Sequence, residues 1–328
     1  MKQLKTHMSM YRHLATLMLL VISSSQTLSQ PHKVLKYLYE ISGSKTVAGQ
    51  HNQEPNADPD RWTEYIHNIT GKYPALWSGD FLYQQENIDD RWKMIKEAKK
   101  QWDKGAIINI MWHACPPDEG EPCKWNPGLL HAQLSDKEWN DLITDGTALN
   151  QTWKKRMDDI AVYLQYLKDN GVEVLFRPFH EMNIGAFWWG DRPGPRGAPR
   201  LYQITRDYMV KEKGLTNLIW VWDMQDVSKD FAEYNPGEDY WDVFAFDVYG
   251  PGYDSSWYDY ILPLVGKKPI AIGECGKLPG PGFLSAQPRW TFIMPWAGMV
   301  KEKNSEQTIR KFYGEPQLIT LDEMPGWK

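Results

Sequence analysis

Eight short apolar runs recur along this chain, and nearly every one closes on polar or aromatic residues. They are "TVAGQHN" (46–52), "PALWSGDF" (74–81), "AIINIMWHA" (106–114), "VEVLFRPFHEM" (172–182), "NLIWVWDM" (217–224), "VFAFDVYG" (243–250), "PIAIGECG" (269–276) and "WTFIMPWAG" (290–298). Their apolar halves are almost unbroken, as in parallel strands covered on both faces. Amphipathic stretches lie between several of them: 88–102, 153–171, ending in Asn-Gly, and 198–214, ending in Gly214. These endings are usual helix stops. A shorter pattern, "SWYDYILPLVG", contains Pro263, and little helix is expected between strands five and six or seven and eight. Eight βα units in a row predict a single α/β domain, a (β/α)8 TIM barrel spanning residues 30–328; the runner-up is a doubly wound open sheet. In a barrel, all eight endings would converge on one mouth.

Residues 1–29 stand apart. Lys2, Lys5 and Arg12 precede the apolar stretch "LATLMLLVI" (14–22), and small residues follow at Thr27 and Ser29. That is the pattern of a secretory signal peptide, too short for the roughly 20 residues a membrane span needs. With no cysteine near the cleavage site, a secreted or periplasmic protein without a lipid anchor is expected. Losing this leader takes the formal charge from −5 to −8. An acidic surface argues against nucleic acid or anionic membrane as partner and suits a neutral substrate.

Of three cysteines, Cys115 and Cys123 bound the loop "CPPDEGEPC", where export makes a disulfide reasonable. Cys275 reads as a buried free thiol. The spacing of Cys115, Cys123, His113 and His131 matches no familiar zinc site, so no metal is expected.

Two carboxylates stand at strand ends: Glu181 on the fourth and Glu274 on the seventh. Alternation puts Ile270, Ile272 and Glu274 on one face and Arg177 with Glu181 on another shared face; His180 has the opposite parity and reaches the cleft only if the strand twists or bulges. Paired carboxylates suit glycoside hydrolysis, one donating a proton to the leaving oxygen while the other meets the oxocarbenium-like carbon. Close like charges push one pKa up and keep that group protonated. Trp112, Trp188, Trp189, Tyr249 and Trp296 lie at or just beyond strand ends, where an aromatic ring can cover the flat face of a sugar; Trp112, Trp188, Tyr249 and Trp296, together with Arg177, are the candidate substrate contacts. Trp188 and Trp296 are the contacts this reading favours.

"FRPFHEM" followed by "FWWG", with "IGECG" further on, resembles glycoside hydrolase family 26, whose best-known members are β-mannanases. The resemblance runs from "VAGQHN" to "TLDEMPGW". It implies a retaining (β/α)8 barrel that needs no cofactor, with Glu181 as acid/base and Glu274 as nucleophile. It further implies that His113 and His180 contact sugar, that Tyr249 hydrogen-bonds the nucleophile and that Trp296 floors a sugar site. The expected partner is β-mannan or a related polysaccharide, and a monomer is expected. Alternatives are a family member acting on β-glucan or β-1,3-xylan, and a catalytically silent polysaccharide-binding barrel. One departure concerns the segment Ile184–Gly190: where mannanases of the family usually carry a first tryptophan, this chain has Ala186.

Overall fold

In the computed structural model, which describes residues 32–250 and 252–327, all eight anticipated strands form. They are β1 (Thr46–His51), β2 (Leu76–Phe81), β3 (Ile107–Trp112), β4 (Val174–Arg177), β5 (Leu218–Gln225), β6 (Val243–Val248), β7 (Ile270–Cys275) and β8 (Trp290–Pro295). Each pairs in parallel with the next, and β8 returns to β1 through Val47 opposite Phe292 and Ala48 opposite Ile293. That closure settles the choice between barrel and open sheet. A two-residue strand, β9 (Leu318–Ile319), adds to the outside of β1. Residues 1–29, read above as a leader, lie outside the described residues, among which no helix is long and apolar enough to cross a membrane.

The helices follow from local chemistry. Ala148–Asp169 starts at Thr147, whose hydroxyl accepts from the Asn150 N–H, and buries Trp153, Met157, Ile160, Leu164 and Leu167 at helical spacing against the barrel. It gives way to Asn170 and then to Gly171 at φ +69°. Ser255–Val265 continues through Pro263. Ala198–Asp207 runs on into a π-helical turn, Tyr208–Glu212. Between β5 and β6 only the 3-10 turn Phe231–Tyr234 forms, and between β7 and β8 only Phe283–Ala286, as the sequence pattern anticipates. At the bottom of the barrel, helix Lys33–Ile41 is held by Glu173, whose carboxylate accepts from the Lys33 and Val34 N–H groups at 2.9 and 2.8 Å. A carboxylate there satisfies orphan donors and complements the helix dipole.

Cys115 and Cys123 are joined, and Cys275 is a buried free thiol that burial pushes up to about 12. Arg156, on the long helix, holds the bridged loop through the carbonyls of Cys115, Pro116 and Glu119.

Candidate active site

Glu181 lies four residues past the last residue of β4. Its φ is +51°, a left-handed conformation that costs a non-glycine residue on the order of 1 kcal/mol or more. The turn is held by Asp223 of β5, whose Oδ1 accepts from the Glu181 N–H at 2.9 Å. Strand parity therefore stops applying at Arg177, and His180 and Glu181 both reach the mouth of the barrel. His180 stands 4.7 Å from the His113 ring and 4.3 Å from Phe187, centroid to centroid.

Glu274 reaches the same place by a different irregularity. β7 shifts register against both β6 and β8. Gly273, the residue before it, also faces the acidic interior: a Cβ there would lie 2.6 Å from Asp247 Oδ1 and 2.8 Å from Asp223 Oδ2. Only glycine fits that close approach, and the slipped register lets two successive residues turn inward.

Oxygens of Glu181, Glu274 and Asp247 lie within 4.8 Å of one another. Such a trio could also draw a cation, but two of its members, Asp247 and Glu274, are already paired with the Arg177 guanidinium. It donates to Asp223 at 2.6 Å, to both Asp247 oxygens at 3.1 and 3.0 Å, and to Glu274 Oε1 at 2.5 Å. Tyr249 is partly exposed, yet turns its hydroxyl inward to donate to Glu274 Oε2 at 2.7 Å. One arginine cannot neutralise four carboxylates, so the cluster holds protons. Burial, then the charges of Glu274 and Asp223, push the Glu181 carboxyl well above its usual range. Burial also pushes Glu274 up, opposed by the Arg177 cation and the Tyr249 hydroxyl. The two carboxyls thus sit in unlike surroundings: Glu274 accepts from a cation and a hydroxyl, which favour its ionised form, and Glu181, with no side-chain donor among the described residues, keeps its proton more readily.

His113, just past β3, binds Asp80 of β2 through Nδ1 at 2.7 Å. Trp296, just past β8, is half-buried and stacks on His51 at 4.1 Å. Burial drives His180 well below the usual imidazole range, so its ring is neutral.

Three expected sugar contacts are corrected. Trp112 is fully buried and stacks on Trp153 at 4.9 Å, between barrel and helix layer. Trp188 is 2% exposed; it packs edge-on to Trp153 and Trp189, and its Nε1 donates to the Ala114 carbonyl at 2.8 Å. Each strand-end position has an inner and an outer side, and these indoles take the outer one. Arg177 is 1% exposed and lies behind Glu274 rather than on the cleft surface. Phe187, which the sequence reading passed over as a contact, stacks on Trp189 at 4.7 Å and borders both His180 and His113. Ala186 is half-buried, with its carbonyl accepting from the His131 N–H at 2.9 Å.

The sequence profile of glycosyl hydrolase family 26 matches residues 23–323. The mannan endo-1,4-beta-mannosidase of Thermothelomyces thermophilus is 34% identical over 316 residues, which is 89% of this chain and 61% of that protein. This chain therefore spans less than two thirds of that curated relative's length. Among solved structures, GH26A from Muricauda sp. MAR_2010_75 superposes with a TM-score of 0.84 at 37% identity, covering 88% of this chain and 95% of that one. The beta-mannanase from a symbiotic protist of the termite Reticulitermes speratus, complexed with gluco-manno-oligosaccharide, gives 0.78 at 28% identity, covering 90% and 94%. A profile spanning nearly the whole barrel, on a chain whose paired carboxylates sit past the fourth strand and on the seventh, places this protein in glycosyl hydrolase family 26.

Proposed function

We propose that this chain is a retaining endo-β-1,4-mannanase working by double displacement. Glu274 attacks the anomeric carbon as the glycosidic C–O bond breaks, and the leaving oxygen takes the proton of Glu181. Glu181 then removes a proton from water, which attacks the same carbon and frees Glu274 from the ester. The observation that carries this reading is the approach of the two carboxylates to within 4.8 Å in unlike surroundings. Retaining enzymes place their carboxyls about 5–5.5 Å apart, whereas an inverting pair needs about 6.5–9.5 Å to admit water. Arg177 and Tyr249 hold Glu274 for in-line attack, and neutral His180 offers a hydrogen bond without adding charge. The names of the relatives supply mannan as the substrate class. Export and action as a monomer belong to the same proposal; the Cys115–Cys123 bridge suits an oxidising compartment.

Reducing-sugar release from mannan, glucomannan, galactomannan, lichenan and xylan tests it. Release from the mannans with retained anomeric configuration is expected; release from lichenan or xylan alone would reassign the backbone sugar, and none from any would leave a binding barrel.

Ala186 bears on the neighbouring sugar site. If it borders the cleft where relatives carry an indole, Ala186→Trp should lower KM on short manno-oligosaccharides about fivefold, because a stacked ring contributes ~1 kcal/mol. A lowered Tm with unchanged oligosaccharide kinetics would return the position to ordinary packing, where overpacking costs about 1–3 kcal/mol.

A further inference from the structure

Behind the sugar-facing side of β1, β2 and β3 runs a buried polar chain with no part in the steps above. The Asn109 amide donates to Ser78 Oγ at 2.8 Å, and Ser78 Oγ lies 2.6 Å from His51 Nδ1. Across the His51 ring, Nε2 is 3.6 Å from Asp80 Oδ2, and the same Asp80 oxygen is 2.7 Å from His113 Nδ1. His51, Ser78, Asp80 and Asn109 are each exposed by 1% or less.

The proton positions follow from which groups can only donate or only accept. Ser78 Oγ accepts from Asn109, so its own hydrogen is free for His51 Nδ1. Neutral His51 then carries its hydrogen on Nε2, facing Asp80. Burial would raise the Asp80 carboxyl, but the two imidazoles hold it low, so it is ionised and only accepts. His113 must therefore carry its hydrogen on Nδ1. Its Nε2 has no partner among the described residues. The two rings thus hold opposite tautomers, His51 set by Ser78 at 2.6 Å and His113 by Asp80 at 2.7 Å, with the Asp80 charge 3.6 Å from His51 Nε2 favouring a hydrogen there; the flat face of His51 lies under Trp296 at 4.1 Å and 14°.

We propose that His51 and Asp80 are positioning residues for sugar binding: Asp80 fixes His113 as the Nδ1–H tautomer, presenting a bare Nε2 to accept from a sugar hydroxyl, while His51 supports the Trp296 platform and completes the Asp80 shell. This rests on the mannanase reading for the identity of the sugar, though not for the tautomers. A site that accepts at this point selects a hydroxyl over a carbonyl or ether oxygen. Losing a partner that enforces such selection typically leaves a buried group unpaired.

Long-range 1H–15N correlation spectra of the labelled full chain read the tautomers directly, with His51→Phe and His113→Gln assigning the two rings. Expected are Nδ1–H for His113 and Nε2–H for His51; the reverse for His113 overturns the proposal. Asp80→Asn should abolish that preference and lower kcat/KM on manno-oligosaccharides about tenfold or more, the scale of a charge-assisted hydrogen bond. Unchanged tautomers and kinetics would overturn it. Should Asp80→Asn fail to fold, the wild-type tautomers decide. His51→Ala should raise KM more than His51→Phe, whose ring restores the stack; equal losses would overturn the supporting role. A wild-type chain inert on mannan would sink the functional reading alone, because the spectra require no turnover.

Discussion

Glu274→Ala should leave no measurable hydrolysis of mannan, because the ester to the anomeric carbon can no longer form. The variant should still fold. Arg177 keeps Asp223 and Asp247 as partners at 2.6–3.1 Å, so its buried cation is not stranded. Azide should enter the vacated space and restore turnover of an activated aryl mannoside. It approaches from the face Glu274 occupied, so its product has the configuration opposite to the wild-type product. Recovery of the wild-type anomer in the azide product would contradict the assignment of Glu274 as nucleophile. Loss of folding by circular dichroism would instead mean that Glu274 holds Arg177 in place.

The barrel was open to reading from the sequence because strand and helix periods are local. Apolar runs of six or so residues, helix stops at Asn-Gly and Gly, and sparse helix after the fifth and seventh runs are each set within a short window. Helices such as Arg61–Thr70 and Glu306–Tyr313 are harder to see in the sequence, since short amphipathic patterns with few apolar residues resemble loops. Glu181 and Glu274 were legible as charged residues at the ends of apolar strands. His113, His180, Tyr249 and Trp296 enter through the family resemblance, and Tyr249 does bond Glu274; which way the remaining strand-end residues point was not legible, and for a common reason. Strand parity predicts faces only while a strand stays regular, whereas this site is built where strands stop being regular. The left-handed turn at Glu181 and the slipped register around Gly273 both move side chains across the parity line. Trp112 and Trp188 failed for a related reason: at a strand end an indole can pack outward under the helices or inward over the cleft, and composition does not distinguish the two. The carboxylates Asp80, Asp223 and Asp247 were visible at strand ends in "GD", "WDM" and "DVYG". An acidic residue recurring at that point on strands two, five and six was the signal for a buried network, and it needed only to be set beside Arg177.

Glu181→Ala should divide substrates by leaving group. Manno-oligosaccharides, whose departing hydroxyl needs a proton, should lose about 10²–10⁴-fold in rate, the usual range for a positioned general acid. Aryl mannosides with acidic phenols should lose far less in the first step, since those anions depart unaided. Equal losses on both would make Glu181 structural. The companion variant Glu181→Gln gives a second reading through stability. Burial, joined by the charges of Glu274 and Asp223, raises the Glu181 carboxyl in the folded state. A carboxyl with a raised folded pKa binds more protons folded than unfolded, so its contribution to stability falls as pH rises from the ordinary carboxyl range to the raised value. Glutamine fills the same space without that penalty. The Tm of Glu181→Gln should therefore exceed that of wild type by a margin that widens with pH across this window, while hydrolysis of manno-oligosaccharides is lost. A margin independent of pH would show that the carboxyl titrates as it does in water, which removes the basis for its service as a proton donor near neutral pH. The left-handed backbone at Glu181 is unaffected by either substitution, since the Asp223 bond that holds it runs to the main-chain N–H.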